Sequence, residues 1–394
     1  MKPLVYALLP RPPHSTRDGG AIRMRYLLGA LASDFRVRAF VLRAGGTEGG
    51  DYPPDVEVTE IPQNGGRRHR VAAAAGSLVA GGAYSERLYR SALLEERLGR
   101  AVASDRPAWI VAHSYHLGPA ALRVGAPSWI DFQNLDSEIW ARMGQTASSA
   151  LVRVFARLQA PRVAALERRL ADHAAGISCV SRRDAQALCA LSPHARPLLV
   201  PNGVDLSRYR SRTEPARGEL VFFVGDLSWP PNAEGIRWLR ERVWPRVRRS
   251  RPEAKAEILG RGAPADLARS GSPDFRFLGE GGDTRPFWER AAVAVVPLLA
   301  GGGTRLKILE AAACGVPVVS TPVGAEGLEL EAGSEIAIAE DEASFADAVC
   351  RLLADPEARR RQAAAARRRV ETLYDWGPIG AAFARELARR SASA

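Results

Sequence analysis

Short apolar runs alternate along the whole chain with longer stretches of helical period, the pattern of strands that feed into helices and return in parallel. In the first half the runs are Leu4–Leu9, Val37–Leu42, Val56–Ile61, Trp109–Ala112, Ser128–Phe132, Gly176–Val180 and Pro197–Val200. Helices are predicted between them at Ala21–Ala32, Ser85–Ser104 and Leu151–His173. The polar stretch Ser207–Gly218, with Pro215, reads as a linker, and the alternation then restarts. Strands are predicted at Leu220–Val224, Ala256–Leu259, Phe275–Leu278, Val293–Pro297, Val316–Ser320 and Glu335–Ile338. Helices should fill Ala233–Arg249, Thr284–Ala291, Thr304–Cys314, Ala343–Leu353, Pro356–Leu373 and Pro378–Arg390. The fold class is therefore α/β, with two Rossmann-like units in tandem. Ligands of such sheets bind outside the carboxyl ends of the strands, which predicts an active site between the units.

Length and composition agree with this organisation. A chain of 394 residues suits two domains of roughly 150 to 200 residues each. Apolar residues at 46% and charged residues at 25% supply real cores and give no case for disorder. Cys179, Cys189, Cys314 and Cys350 are scattered, with no zinc spacing, as expected of reduced thiols in the cytoplasm. The run Leu4–Leu9 leads at once into Pro10-Arg11-Pro12-Pro13, unlike the core of a leader, and Val71–Ala83 is too short to span a bilayer.

The net charge of +11 is uneven: residues 1–215 hold 29 Lys/Arg against 19 Asp/Glu, whereas the remainder is nearly balanced. Without a helix-turn-helix, zinc or aromatic RNA-binding signature, this basicity does not make a nucleic-acid binder. Arg67-Arg68-His69-Arg70 and the arginines of Leu151–Arg169 (Arg153, Arg157, Arg162, Arg168 and Arg169) suit either a solvated surface or an anionic leaflet.

The most informative stretch is Ala292–Thr321. A strand ends at Pro297, Gly301-Gly302-Gly303 follows, and the sequence Thr304-Arg-Leu-Lys-Ile-Leu-Glu310 begins a helix. Consecutive glycines let backbone approach a ligand, and a helix start offers free N–H groups, so this is a phosphate cradle. Thr304 is the expected cap, and Arg305 and Lys307 bring positive charge to a helix end where the dipole disfavours it. By helical spacing Gly303, Lys307, Glu310 and Cys314 share a face, while Leu306, Leu309 and Ala313 form the apolar stripe. Glu310 then lies about 10 Å beyond the glycines at ~1.5 Å per residue, where it could accept hydrogen bonds from ribose. The chain has only three lysines, Lys2, Lys255 and Lys307, against 52 arginines, so a lysine at 307 stands out. Gly260-Arg-Gly-Ala-Pro-Ala265 imitates a dinucleotide fingerprint, but Pro264 argues for a plain loop. No D-x-D motif, a carboxylate pair able to carry a metal, occurs.

The run Pro297–Gly327, with Gly-Gly-Gly-Thr-Arg-Leu-Lys-Ile-Leu-Glu, Gly315-Val-Pro-Val-Val-Ser-Thr and Gly324-Ala-Glu-Gly-Leu, resembles GT-B glycosyltransferases of family 4. Val200-Pro-Asn-Gly-Val-Asp205, in which Asn202 shapes the turn, is similar to that family's hinge, and Asp18-Gly19-Gly20 to its first glycine loop. The resemblance implies two facing Rossmann-like domains. These are an acceptor domain at residues 1–210, joined by a C-terminal helix in 376–394 that crosses back, and a donor domain at 211–375. It implies retaining transfer of a hexose-type sugar from a nucleotide-diphosphate sugar, without cofactor or metal, to a polysaccharide, glycolipid or lipid-linked acceptor. Location would be cytoplasmic or peripheral on the inner face of the membrane. Carried over by position, Gly19, Gly20, Gly225, Gly301, Gly302, Gly303, Thr304 and Glu310 bind the donor, and Arg305 and Lys307 offset charge on the leaving diphosphate. His113 and His116 are the candidate histidines for the donor sugar, and Asp131, Gln133 and Asn134 have a claim on the acceptor.

Two departures stand out. Gly302 replaces the family's frequent second glutamate, and Gly225-Asp226 replaces its Gly-Arg. They leave open a second reading, a catalytically idle relative that binds nucleotide sugar as the partner of another transferase.

Overall fold

The computed structural model describes residues 2–14, 18–45, 49–63, 65–147, 149–212, 214, 216, 218–301 and 303–392. The chain forms two compact units, one of Met1–Pro201 with Gly377–Ala394 and the other of Asn202–Trp376. The first holds strands β1 (Leu4–Leu9), β2 (Arg36–Ala44), β3 (Val56–Gln63), β4 (Trp109–Ala112), β5 (Ser128–Phe132), β6 (Gly176–Cys179) and β7 (Leu198–Leu199) in the order β3-β2-β1-β4-β5-β6-β7. The second holds β8 (Leu220–Val224), β9 (Lys255–Leu259), β10 (Phe275–Gly279), β11 (Val293–Val296), β12 (Val318–Ser320) and β13 (Ala337–Ile338) in the order β10-β9-β8-β11-β12-β13. Every pairing is parallel. Strands covered on both faces must be apolar on both, and Val5–Leu9 and Val293–Val296 are buried at every position.

In each sheet the order reverses beside the first strand, between β1 and β4 and between β8 and β11. At such a reversal the loops leaving the carboxyl ends of neighbouring strands run to opposite faces of the sheet, which is where sheets of this kind form a ligand crevice.

A buried ion pair fixes the first unit around its crevice. Arg23, on the helix Gly19–Asp34, grips Asp131 at the end of β5 through two contacts of 2.7 Å, and both side chains are wholly buried. Ser178 donates to the same carboxylate and Arg23 also reaches the Pro201 carbonyl. Burial alone would raise the Asp131 carboxyl, but the guanidinium holds it below the usual range. Asp131 is thus wholly buried and engaged by Arg23 and Ser178, a part in holding the unit together that the sequence did not reveal. The helix Trp376–Ser391 packs on the same unit, with Phe383 edge-on to Trp129 at 5.6 Å and the Trp129 neighbour Trp109 donating to the Leu387 carbonyl.

Elsewhere local chemistry redraws the predicted elements. The expected helix Ser85–Ser104 is two, Tyr84–Leu88 and Ala92–Asp105, because the Ser91 hydroxyl accepts from the Leu94 amide and starts a new helix. The stretch predicted as Ala233–Arg249 is helical throughout but runs through a π-turn at Leu239–Val243, just before Pro245, which has no N–H to offer an ordinary helix. Arg67–Ala80 and Asp136–Thr146 are helices that the apolar pattern did not reveal. Within the expected linker, residues 213, 215 and 217 lie outside the described residues, while Tyr209 is buried in the second core. Val204 exchanges backbone hydrogen bonds with Tyr374 and Trp376, so the second unit starts at Asn202.

Removing one partner of the buried pair isolates the other charge. Arg23→Ala should cost about 3–5 kcal/mol, read as a fall in the urea midpoint of the first unit. An unchanged midpoint would show that Asp131 finds compensation elsewhere.

Candidate functional site

The crevice of the second unit is walled by two loops. One follows β8 through Gly225-Asp226-Leu227-Ser228-Trp229 into the helix Pro230–Trp238, and the other follows β11 through Gly301, Gly303, Thr304 and Arg305 into the helix Leu306–Ala313. Gly301 at φ 122° and Gly303 at φ 78° occupy backbone conformations that side chains resist, so the turn requires them to be glycine. Gly302 lies outside the described residues.

Lys307 reaches across to the opposite loop. Its Nζ donates to Asn232 Oδ1 at 3.2 Å and sits 3.9 Å from the centre of the Phe223 ring. A methyl group at Gly225 would stand 2.7 Å from that nitrogen, so the missing side chain makes the room. Asn232 is itself fixed by donating to the Asp226 carbonyl. Burial, and then the nearby Arg305 guanidinium, push the ammonium down to about 7. An anion entering here would find a cation already partly desolvated.

The start of this helix differs from expectation. It begins at Leu306, with Arg305 in the capping position and no side-chain cap, and the Arg305 guanidinium folds back on the Gly303 carbonyl and over the Trp229 ring at 5.9 Å. Thr304 is therefore not the cap, and its buried hydroxyl has no partner among the described residues. The stripe turned to the sheet is Ile308, Leu309 and Ala311–Ala313, with Leu306 only partly covered. The Ile308 amide donates to the Arg305 carbonyl, and the Leu306 and Lys307 amides before it have no preceding turn of helix to accept them.

Glu310 stands on the same helix as Lys307, and its Oε2 accepts from Thr284 Oγ1 at 3.4 Å and Trp288 Nε1 at 3.3 Å. Tyr209 meets Thr284 at 3.2 Å and completes the cluster. Burial raises the Glu310 carboxyl, and these donors work against that rise. Asp226, the departure beside Gly225, is neutralised in place: Arg261 donates to it at 2.8 and 2.9 Å and the Ser228 amide at 2.9 Å. Gly260, from the imitation fingerprint, is close-packed on this loop, since a methyl group there would stand 1.9 Å from the Gly225 oxygen.

In the first unit Gly19 and Gly20 open their helix, whose cap is Asp18 accepting from the Ala21 amide. A side chain at Gly20 would collide with Gln133 and Arg11. His113 follows β4 and is wholly buried, with neither ring nitrogen hydrogen-bonded among the described residues. Burial lowers its imidazole to about 4, against the opposing pull of Asp131. His116 is held differently, by Ser114 on Nδ1 at 2.6 Å and Asp136 on Nε2 at 3.5 Å, with its ring tilted against Tyr89 and Tyr115. Gln133 donates to the His113 carbonyl.

The second unit thus brings together Gly225, Gly301, Gly303, Thr304, Arg305, Lys307 and Glu310, and the first brings Gly19, Gly20 and His113 to its own switch point. Sequence reasoning missed Asn232, Trp229, Phe223, Thr284, Trp288 and Tyr209. The Trp229-Pro-Pro-Asn232 run after the first strand of the unit was the available signal for the first two.

Parallel α/β units with glycine-opened switch points, repeated in tandem, are the mark of the GT-B class. A model of the glycosyl transferase 4-like domain matches residues 18–203, and one of glycosyl transferases group 1 matches residues 218–355. Sucrose-phosphate synthase from Thermosynechococcus elongatus superposes with a TM-score of 0.75 at 19% identity, covering 99% of this chain and 100% of that one. HepE from Anabaena, in complex with UDP and glucose, does so with a TM-score of 0.68 at 13% identity over 98% and 99% of the two chains. Glycogen synthase of Mycobacterium tuberculosis is 32% identical over 202 residues, 47% of each chain. The chain belongs to the group 1 glycosyl transferases of the family 4 type and has the GT-B fold. It spans less than half the length of the curated relatives it matches.

His113 carries a testable consequence. A histidine whose value falls from the ordinary 6.5 to about 4 takes up its proton more readily unfolded, so stability is full above ~6.5 and drains as pH falls towards ~4, by about 3 kcal/mol. Urea midpoints between those pH values should show this slope, and His113→Leu should flatten it. A slope that survives the substitution would assign it to other groups.

Proposed function

We propose that this protein transfers a hexose-type sugar from a nucleotide-diphosphate sugar to a polysaccharide, glycolipid or lipid-linked acceptor, with retention of anomeric configuration. The observation that carries the reading is the Lys307 ammonium held beneath Gly225 at the switch point of the second unit. Membership of the group 1 glycosyl transferases supports it, as does the UDP and glucose bound by the HepE structure of the same fold.

In the reaction the bond from the anomeric carbon to the diphosphate breaks, and its electron pair stays on the phosphate oxygen. The acceptor hydroxyl bonds to that carbon from the same face and its proton passes to the departing oxygen. Negative charge grows on the diphosphate, so Lys307, Arg305 and the open amides beside Gly303 bind the transition state more tightly than the ground state. These cations take the part that a divalent ion plays elsewhere, and no cofactor is required. Glu310 receives the ribose hydroxyls, already oriented by Thr284 and Trp288. His113, neutral and with no ring partner among the described residues, has donor and acceptor capacity for a sugar hydroxyl. Asp226 favours the idle reading at first sight, but its pairing with Arg261 removes the repulsion that a free carboxylate would exert on phosphate.

A thermal-shift screen of UDP, GDP, ADP and TDP sugars should reveal one donor that raises the melting temperature, followed by turnover of that donor. Glu310→Ala should then lose about 1.5–3 kcal/mol, roughly 10- to 150-fold in kcat/KM. Lys307→Met should lower kcat by about 100-fold or more, as removal of a charge-stabilising group does. Binding without turnover would establish the idle reading, and no binding to any donor would sink both.

A further inference from the structure

Among the described residues, all the exposed large apolar side chains except Trp229 and Leu299 lie on two helices of the first unit, Arg67–Ala80 and Ala150–His173. The shorter helix is anomalous for a soluble surface. It buries only Ala73 and Ser77, one turn apart, and turns Val71, Leu78 and Val79 outwards, Val79 being 90% exposed. Tertiary packing supplies most helical stability in water, and a helix of this length gains little of it from two small side chains.

The longer helix has apolar residues on two faces. Ala156, Val163, Leu166 and Leu170 face the core, as a surface helix requires. Leu151, Val154 and Leu158, at spacings of three and four, form a second stripe that faces out, with Leu151 83% exposed. The helices meet where Gln159 and Arg162 both bond to Ser77, through its hydroxyl and its carbonyl. Leu78 and Val79 adjoin Ser77 in sequence and Leu158 adjoins Gln159, so these three exposed side chains lie near one joint, with Val71, Leu151 and Val154 further along the two helices.

Charge selects the partner. Residues 67–80 and 150–166 contain no Asp or Glu, whereas Arg67, Arg68 and Arg70 open one helix and Arg153, Arg157 and Arg162 punctuate the other. Arg157 and Arg162 spend hydrogen bonds on the Gly144 and Ser77 backbone carbonyls, which carry no formal charge. Outward apolar stripes with only basic companions suit a surface that is apolar beneath and anionic above, the headgroup layer of an acidic bilayer. No described helix is long and apolar enough to cross a membrane.

We infer that these two helices form an interfacial docking face by which the first unit lies on an anionic lipid surface. This deepens the proposed function, on which it rests for a lipid-linked acceptor, but the face stands on its own observations. Flotation with vesicles tests it: phosphatidylcholine alone against phosphatidylcholine with phosphatidylglycerol, at low and physiological salt. The protein should partition onto the acidic vesicles, less so in salt, and hardly onto the neutral ones. The double variant Val79→Asp, Leu151→Asp, which alters only exposed positions, should partition at least roughly tenfold less while keeping its donor-induced thermal shift. A wild-type protein that ignores acidic vesicles, or a variant that binds them equally, overturns the inference. So does self-association in the absence of lipid that the same variant abolishes, which would make the face an interface between copies. Because the donor shift is read on the same samples, failure here is separable from failure of the transfer reading.

Discussion

The second unit is organised around a single ammonium group drawn largely out of water before any anion arrives. Lys307 could extend into solvent from its helix, yet it crosses the crevice to Asn232 and lies over Phe223 in the space that Gly225 vacates. That placement lowers its proton affinity and is costly in the empty protein. Much of the neighbourhood serves it. Gly301 and Gly303 shape the loop that brings its helix to the crevice, and Asn232 is fixed by the Asp226 carbonyl so that its oxygen faces the lysine. A site built this way binds most strongly whatever restores the missing negative charge, which on a sugar donor is the diphosphate.

The departures from the family pattern then form a coherent local exchange. Where the resemblance leads to expect an arginine beside the first glycine, Asp226 stands instead, clamped by Arg261 from the end of the neighbouring strand. Asn232 is an acceptor rather than a cation, and the positive charge comes from the facing helix through Lys307 and Arg305. The charge requirement is met from one wall of the crevice rather than two.

How much of this was legible in the sequence varied with the range of the interactions. The parallel strands were readable because burial on both faces leaves unbroken apolar runs such as Val293–Val296, and the glycine loop because no other residue tolerates its backbone. Helix starts were less so: Arg305 rather than Thr304 occupies the cap because its side chain finds Gly303 and Trp229, contacts that no local spacing encodes. Asp131 looked like a ligand-facing carboxylate, and its partner Arg23 is more than a hundred residues away. Likewise Glu310 was visible as a candidate while Thr284 and Trp288, which orient it, were not. The outward stripe of Leu151, Val154 and Leu158 could be recognised as such only when the opposite face was seen to be buried.

The most direct measurement of the central claim is the proton balance of donor binding. Calorimetric titration with UDP-glucose, or with the best donor of the screen, in two buffers of different ionisation enthalpy reports protons taken up per molecule bound. A doubly esterified diphosphate, unlike a terminal phosphate with its value near ~6, does not titrate in this range. If the diphosphate settles on Lys307, whose value is about 7 in the empty protein, then nearly one proton should enter at pH ~8 and little below ~6, with affinity falling as pH rises above ~7. Lys307→Met should abolish the uptake. Donor binding that is tight, independent of pH and without proton uptake would contradict the role assigned to this lysine.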